Sequence, residues 1–414
     1  MARGIGLTRA AGGAFIRGAV FLIGAAMRRF GRILCIVLVG LAAPFSGTRI
    51  PMAAPSPPDP SAAAPLYPGE TLEHAAGFPV LVRFAPARPD STLVVFITGG
   101  GVLARIAYGY PGGRPADFLA HWLHREGLAL LALSYPMGVP AFPATYPGFG
   151  VPDWAEQSAE IIARYVAAHR LPKKVVVLAW SMAGRVAEPL TVRLRQREVE
   201  VELLVAMAAS PAMPNLLPGL DGLRPAPSGL ARIDGAYLGW LQQCLADQGR
   251  LAGHAIVPPD LFAAAFAGDF PIGLAASAMR YEGGAFVHAP QRDADETGAF
   301  AYGQYPPIAV LTHDSPVDPR HALADRAVWG FYITQRLAQA DLFPRVADLT
   351  ALTPETWQAV MGLVRGAPER LTLTMPGNHM FFVGEAGAAK TVAALQELRA
   401  RAASLAAELN AALR

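Results

Sequence analysis

The sequence predicts an α/β protein in which a mostly parallel β-sheet carries helices on both faces and a mainly helical insertion. The first observation is that short apolar runs alternate with helical stretches from about residue 79 onward. The second is that several of these runs are continuous, as expected for parallel strands buried on both faces. The third is the interval between Ala209 and Pro307, which breaks this alternation and contains no convincing core strand.

Each predicted strand is an apolar run rich in Val, Leu or Ile. The seven runs are 80–84, 93–98, 128–134, 175–179, 203–208, 308–312 and 371–374. Helices are predicted between and after them, over 116–125, 154–169, 183–195, 321–338 and 386–413. The core is therefore assigned to residues 79–210 and 306–414. Residues 211–305 are expected to form a cap over one end of the sheet. Long insertions of this kind are usually functional lids.

Composition and charge exclude several classes of protein. Of the 414 residues, 53% are hydrophobic and 16% charged, so the chain can bury a large core. No apolar run reaches the ~18–20 residues of a membrane-spanning helix, which excludes a polytopic membrane protein. The net charge of +3 depends on seven arginines in residues 1–50; residues 51–414 hold 28 basic and 32 acidic residues, a net charge of −4. A mildly acidic body without a basic stripe argues against nucleic-acid binding.

The first fifty residues have the pattern of a secretory signal. A positively charged stretch, 27–32, precedes an apolar stretch, 33–43, that ends in small residues suited to cleavage. We therefore expect residues 1–50 to be a signal peptide and the protein to be exported, either periplasmic or secreted. An uncleaved membrane anchor and a wrongly extended reading frame are the alternatives, and Met27 is an alternative start because the preceding segment is long for a signal.

Residues 51–78 are expected to form a linker, because their first part is rich in Pro, Ala and Ser. Cys35 lies in the apolar stretch of the signal, which leaves Cys244 as the second of the two cysteines. No disulfide framework is therefore expected.

A nucleophile elbow is predicted where residues 175–184 read VVVLAWSMAG, a strand followed by a tight turn and a helix. Ser181 lies at the turn. A serine hydroxyl is a weak nucleophile unless it stands clear of the surface beside a base, and a strained turn with small flanking residues provides this. Ala179 and Ala183 occupy the two flanking positions where glycine is usual. The competing interpretation is a serine that only caps a helix.

With this elbow the chain resembles the α/β-hydrolase superfamily, over about residues 79–410. The resemblance implies a serine hydrolase with an inserted cap and an oxyanion-hole loop after an early strand. Gly99, Gly100 and Gly101 occupy that place, with Thr98 where the family commonly has histidine. The backbone amides of Gly100 and of Met182, the residue after the serine, are the expected donors to the oxyanion.

The resemblance also implies a histidine base near the C-terminus and an acid after the preceding strand, in the chain order Ser, Asp, His. His379 follows the last predicted strand and a Pro-Gly turn. Asp314 is the preferred acid because it lies closest to the end of the strand 308–312, and Asp318 is the alternative. The strand that ends near Ala208 is followed by no carboxylate.

Nucleotide and metal chemistry have less support. Residues 99–104, GGGVLA, match the G-x-G-x-x-A fingerprint of dinucleotide-binding proteins, but the next strand ends without the acid that would bind the ribose. His121 and His124 lack an evident third metal ligand. The acidic cluster Asp293, Asp295 and Glu296 is more typical of a solvated loop than of a calcium site. We therefore expect no cofactor and no metal.

The expected activity is hydrolysis of a carboxylic ester through an acyl-enzyme. Trp240, Phe262, Phe266 and Phe270 make the cap apolar, which favours an apolar acyl or alcohol part of a small-molecule substrate. A thioesterase or acyltransferase would use the same triad. A hydrolase-like binding protein without catalysis is the alternative from another class, because fold alone does not establish activity.

Overall fold

The computed structural model describes residues 65–214 and 222–414. Ten strands lie within these residues: β1 (Glu70–Ala75), β2 (Phe78–Ala85), β3 (Leu93–Ile97), β4 (Ala129–Ser134), β5 (Lys174–Trp180), β6 (Glu200–Met207), β7 (Met279–Glu282), β8 (Ala285–His288), β9 (Ile308–His313) and β10 (Thr372–Met375). Eight of them form one sheet in the order β1-β2-β4-β3-β5-β6-β9-β10, and β7 and β8 form a separate hairpin. The predicted signal peptide and the first half of the predicted linker lie outside the described residues.

The large sheet is mostly parallel. β2 pairs antiparallel with both β1 and β4, whereas all pairings from β4 through β3, β5, β6 and β9 to β10 are parallel. Every residue of β3, β4 and β9 is buried. Continuous apolar strands are stable here because helices cover both faces of a parallel sheet. All seven strands predicted from the sequence are present.

Ten α-helices accompany the strands in the described part of the chain. They are α1 (Arg105–Tyr108), α2 (Leu119–Arg125), α3 (Val151–Ala168), α4 (Ala187–Gln196), α5 (Ala236–Ala252), α6 (Pro259–Ala265), α7 (Pro290–Glu296), α8 (Pro319–Arg336), α9 (Pro354–Arg370) and α10 (Glu385–Ala412). α3 packs on α4, while α2, α10, α9 and α8 pack in series. The predicted class, an α/β sheet with helices on both faces and a mainly helical insertion, is confirmed. No helix among the described residues is both long and apolar enough to cross a membrane.

The expected linker over 51–78 is too long, because β1 and the start of β2 lie inside it. β1 was missed because its sequence, ETLEHA, is mostly polar and only its first and last residues are buried. An edge strand that faces solvent need not carry an apolar run. The folded sheet therefore begins at Glu70, before the predicted core boundary at residue 79.

The insertion between β6 and β9 contains α5, α6, the β7–β8 hairpin and α7, so it is mostly helical with one small hairpin. It is joined to the core by main-chain hydrogen bonds, including Leu103 N–H to Phe266 O and Gly268 N–H to Gly101 O. Gln248 of α5 also donates to the carbonyl of Met380. These contacts hold the insertion against the loops that follow β3 and β10.

A buried ion pair between Arg105 and Glu70 ties β1 to the core. The Glu70 carboxylate accepts from Arg105 Nε at 2.8 Å, from Arg105 Nη2 at 2.7 Å and from the Tyr108 hydroxyl at 2.6 Å. Arg105 also donates to the carbonyl of Ala265 in α6, and its guanidinium lies 3.6 Å from the ring centroid of Tyr67. Both charged side chains are almost fully buried, so each depends on the other for compensation.

Replacing one partner of this pair should destabilise the fold. Glu70→Gln leaves the buried guanidinium without its counter-charge, and we expect the free energy of unfolding to fall by about 3–5 kcal/mol. Urea denaturation followed by circular dichroism measures the change. The control is Glu198→Gln, which removes the exposed pair with Lys173 and should leave the urea midpoint unchanged. Equal urea midpoints for Glu70→Gln and the unmodified protein would show that the Arg105–Glu70 pair does not stabilise the fold.

Candidate active site

Ser181 lies at a strained turn directly after β5. Its φ angle is +57°, in the left-handed region that non-glycine residues rarely adopt. Its carbonyl accepts the amide of Ser210 at 2.8 Å. A Cβ at Gly184 would lie 2.4 Å from the carbonyl oxygen of Ser210, so glycine is required three residues after the serine. Ala179 and Ala183 are fully buried on either side, which explains why small residues occur there.

The loop after β3 passes directly against the serine. A Cβ at Gly99 would lie 2.7 Å from Cβ of Ser181, closer than two side-chain carbons can approach. A Cβ at Gly100 would lie 2.8 Å from the Tyr237 hydroxyl and 3.5 Å from the sulfur of Met182. Glycine is therefore needed here for close packing of the loop against the elbow and α5.

The amides in this loop differ in their hydrogen bonding. The Tyr135 hydroxyl accepts from the amide of Gly101 at 2.9 Å and donates to the carbonyl of Gly99 at 2.9 Å. The amide of Gly100 has no acceptor among the described residues. The amide of Met182 lies in the first turn of a 3₁₀ helix, where amides have no acceptor within the helix. The two donors expected from the sequence, Gly100 and Met182, are thus free to bind an oxyanion.

His379 lies in the loop after β10 and bonds to a buried carboxylate. Its Nδ1 is 2.7 Å from Oδ2 of Asp318, and both side chains are at most 2% exposed. Its carbonyl accepts from the indole nitrogen of Trp180 at 2.9 Å, and the two rings lie 5.4 Å apart. Since Trp180 immediately precedes Ser181, this contact fixes the histidine loop to the elbow.

The preference for Asp314 over Asp318 is corrected by this geometry. Asp314 follows β9 directly, but its side chain is exposed, whereas Asp318 is fully buried against His379. The chain needs the four further residues to reach the histidine. Asp318 is the residue before α8, and its side chain bonds no helix amide because it turns toward His379. The Asp-Pro pair at a helix start was the available sequence signal.

Burial and charge set the protonation states of this pair. Burial raises the pKa of Asp318, but His379, His313 and His321 face the carboxylate and together hold its pKa well below the usual range. Burial lowers the pKa of His379 to about 4, although Asp318 acts to raise it. His379 is therefore neutral at neutral pH and can accept a proton.

The cap contributes two aromatic residues to the site: Trp240, which the sequence already indicated as part of an apolar cap, and Tyr237, which it did not. Tyr237 and Trp240 are three residues apart on α5 and so share one face. The Tyr237 hydroxyl donates to the carbonyl of Gly100 at 3.1 Å, and the Trp240 ring lies 4.9 Å from that of His379. The indole nitrogen of Trp240 donates to the carbonyl of Val317 at 2.9 Å. One helix of the cap thus contacts both the glycine loop after β3 and the histidine.

Two further buried histidines surround Asp318. His313 Nε2 lies 3.4 Å from Oδ2 of Asp318, and His321 forms a buried pair with Asp325 at 2.8 Å. Donor atoms of His313, Asp318 and His379 all lie within 4.8 Å of one another, a donor set that zinc can use. Because Asp318 and His379 already bond to each other and all three are buried, we assign the cluster to proton chemistry.

The other polar sites considered from the sequence lie elsewhere. His121 and His124 are partly or fully exposed on α2. The acidic cluster was expected to be a solvated loop, but it lies in α7. Asp293 is buried and bonds to Arg185 at 2.5 Å, and Glu296 pairs with Arg292. Asp293 and Glu296 are thus held by arginines, whereas Asp295 is exposed and accepts from Gln291.

No protein-family model matches the chain, and no curated protein matches it. Solved structures of similar architecture include an esterase from Rhodococcus sp. at 16% identity and a TM-score of 0.43, which covers 80% of this chain and 98% of that chain. A thermophilic esterase from Thermogutta terrifontis has 12% identity, a TM-score of 0.42 and coverage of 80% and 97%. A bromoperoxidase from Bacillus anthracis has 13% identity, a TM-score of 0.41 and coverage of 80% and 99%. At such low identities and TM-scores, these similarities say nothing about the activity of this chain.

The chain itself provides the evidence for the fold. The elbow after β5, the glycine loop after β3 and the chain order Ser181, Asp318, His379 agree with the α/β-hydrolase pattern. The sheet order and these loops confirm the predicted fold class, an α/β-hydrolase-like sheet with an inserted cap. A serine, a neutral imidazole, a buried carboxylate and two amides without acceptors are the kinds of group that acyl transfer requires.

The protonation of His379 should depend on Asp318 and not on Asp314. Asp318 acts to raise the pKa of His379, so Asp318→Asn should lower that pKa below its value of about 4. Asp314→Asn removes an exposed carboxylate and should leave it unchanged. NMR titration of ¹³C-labelled histidine, with His379→Gln to assign the resonance, measures both variants. If the pKa of His379 changed in Asp314→Asn and stayed the same in Asp318→Asn, the pairing of His379 with Asp318 would be contradicted.

Proposed function

We propose that the protein is a serine hydrolase that cleaves a carboxylic ester through Ser181, His379 and Asp318. The observation that carries the proposal is the buried 2.7 Å contact between His379 and Asp318, in a loop that is bonded to Trp180, the residue before a serine of positive φ. A buried carboxylate–imidazole pair orients the ring and stabilises the imidazolium that forms when the ring accepts a proton. An arrangement that served only packing would not need both this pair and a strained serine.

The proposed reaction has two stages. His379 Nε2 takes the proton of the Ser181 hydroxyl as Oγ attacks the ester carbonyl carbon, and Asp318 stabilises the imidazolium. The amides of Gly100 and Met182 bind the oxyanion of the tetrahedral intermediate. His379 then gives its proton to the departing alkoxide, which leaves an acyl-serine. Water, deprotonated by His379, attacks this acyl group, and collapse of the second intermediate releases the carboxylic acid and returns the proton to Ser181.

The residues around the elbow support an apolar substrate part. A Cβ at Gly100 would lie 3.7 Å from the Phe270 ring and 3.5 Å from the Met182 sulfur, so both side chains border the proposed oxyanion site. Trp240 covers the histidine. A small-molecule ester with an apolar acyl or alcohol part fits these surfaces. A thioester, or an acceptor other than water, would use the same groups.

We also propose that the enzyme is exported, as the N-terminal pattern of residues 27–43 suggests. Membrane anchoring through this segment is the alternative. Export would favour an ester over the thioesters of intracellular carriers. Fractionation of cells that express the full chain, followed by N-terminal sequencing of the mature protein, tests this proposal. A protein retained in the cytoplasm with its first residues intact would contradict it.

A fluorophosphonate probe tests the proposed nucleophile. We expect the purified protein to be labelled at Ser181, since an activated serine attacks the phosphorus and the adduct cannot turn over. Peptide mass spectrometry locates the label, which should be absent in Ser181→Ala and weaker in His379→Ala. No labelling of a folded protein would favour the alternative of a non-catalytic binding protein.

The two aspartates provide a matched test of the acid. Asp318→Asn should lower kcat for a p-nitrophenyl ester by about 10³- to 10⁴-fold, because the amide cannot hold the imidazole in the required tautomer. Asp314→Asn makes the same chemical change four residues earlier, on an exposed side chain, and should remain within about twofold of the unmodified enzyme. Equal losses in the two variants, or a larger loss in Asp314→Asn, would exclude Asp318 as the acid.

A further inference from the structure

A second buried imidazole lies close to Asp318, and the proposed triad does not use it. His313 is the last residue of β9, its side chain is fully buried, and its Nε2 lies 3.4 Å from Oδ2 of Asp318. The same carboxylate oxygen accepts from Nδ1 of His379 at 2.7 Å. The acid is therefore flanked by two histidines that approach one oxygen atom.

The hydrogen bonding of His313 defines which ring nitrogen carries the proton. The amide of Ser315 donates to Nδ1 of His313 at 3.2 Å, so Nδ1 acts as an acceptor. The proton of the neutral ring is then on Nε2, the nitrogen that faces Asp318. Nε2 is buried and forms no well-directed hydrogen bond with any group of residues 65–214 and 222–414; its contact with Asp318 is an approach at ion-pair distance, 3.4 Å. The negative charge of the Asp318 carboxylate, at this distance, is what faces the buried N–H.

We propose that His313 is a positioning residue of the active site, whose buried Nε2–H, 3.4 Å from Oδ2 of Asp318, helps to hold the carboxylate in place for His379. This inference rests on the proposed serine hydrolase function. Arg320 Nε approaches the other carboxylate oxygen at 3.3 Å, so donors meet Asp318 on both oxygens. Removing the His313 donor lets the carboxylate rotate and concentrates its charge on His379.

The surrounding charges define the expected direction of the pH effect. The titratable and charged groups that face Asp318 and the two histidines are Arg320, His321 and Asp325 of α8 and Tyr237 and Cys244 of α5. None of them replaces the His313 donor, since His321 bonds to Asp325. Without that donor the charge of Asp318 acts more fully on His379, which raises the pKa of His379. The acid limb of kcat/KM should then move to higher pH.

Two amide substitutions separate this role from a structural one. His313→Gln places an N–H near the position of Nε2 and loses the Nδ1 acceptor. His313→Asn keeps an acceptor near Nδ1 for the Ser315 amide and cannot reach Asp318. We expect His313→Gln to retain kcat within about threefold, and His313→Asn to lose about tenfold to a hundredfold with KM unchanged and a shifted acid limb. His124→Asn, on an exposed histidine, is the control.

The outcomes are distinguishable. If His313→Gln is the weaker variant, or the two variants have the same pH profile as the unmodified enzyme, His313 has only a structural role and the inference fails. If both variants fail to fold, ¹⁵N NMR of the unmodified protein decides: a proton on Nε2 of His313 supports the inference, and a proton on Nδ1 overturns it. Absence of fluorophosphonate labelling in the unmodified protein would instead remove the proposed function, and this inference with it.

Discussion

The site depends on keeping a carboxylate charged inside the protein. Asp318 is fully buried, and an isolated buried charge is so costly that the group would normally take up a proton instead. Hydrogen bonds compensate it, from His379 to one oxygen and from Arg320 to the other, and Nε2 of His313 lies 3.4 Å from the first oxygen. The hydrogen bond from Nδ1 of His379 has a defined direction, so the electrostatic requirement also fixes the orientation of this imidazole. The same hydrogen bond therefore helps to keep Asp318 charged and orients the imidazole of His379.

The sheet and the cap supply the framework for this arrangement. Parallel strands end at the same edge, so the loops after β3, β5, β9 and β10 meet there. The contacts between these loops are close: Gly99 lies against Ser181, and Trp180 bonds to the main chain of His379. α5 of the cap then adds contacts to both the oxyanion loop and the histidine. The strained serine persists because packing from several loops determines its conformation.

The core of the site could be predicted from the sequence because its signals are local. Apolar strands, the VVVLAWSMAG elbow, the three glycines and the Pro-Gly turn before His379 are each readable within about ten residues. The acid could not be fixed in this way. Asp314 and Asp318 both follow β9, and only the path of the loop decides which one turns inward. Asp314 and Asp318 are only four residues apart. The helix start at Pro319 is the one sequence signal for how the loop between them folds.

The remaining differences have similar physical causes. β1 lacks an apolar run because it lies at the edge of the sheet, so hydrophobic periodicity does not detect it. Tyr237 contacts Gly100, which is distant in sequence, and His313 lies against Asp318 only because the loop after β9 folds back. Such contacts depend on tertiary packing. Polar residues that are satisfied only after folding have no signature in a single sequence, whereas repeating apolar patterns do.

Trapping the acyl-enzyme tests the central claim most directly. The protein is mixed rapidly with a p-nitrophenyl ester, quenched in acid during the first turnovers and digested, and the peptides are measured by mass spectrometry. The account predicts an acyl group on Ser181, formed with a burst of p-nitrophenol and accumulating little in Asp318→Asn. Ester hydrolysis without any acyl group on Ser181, or with the acyl group on another residue, would contradict it.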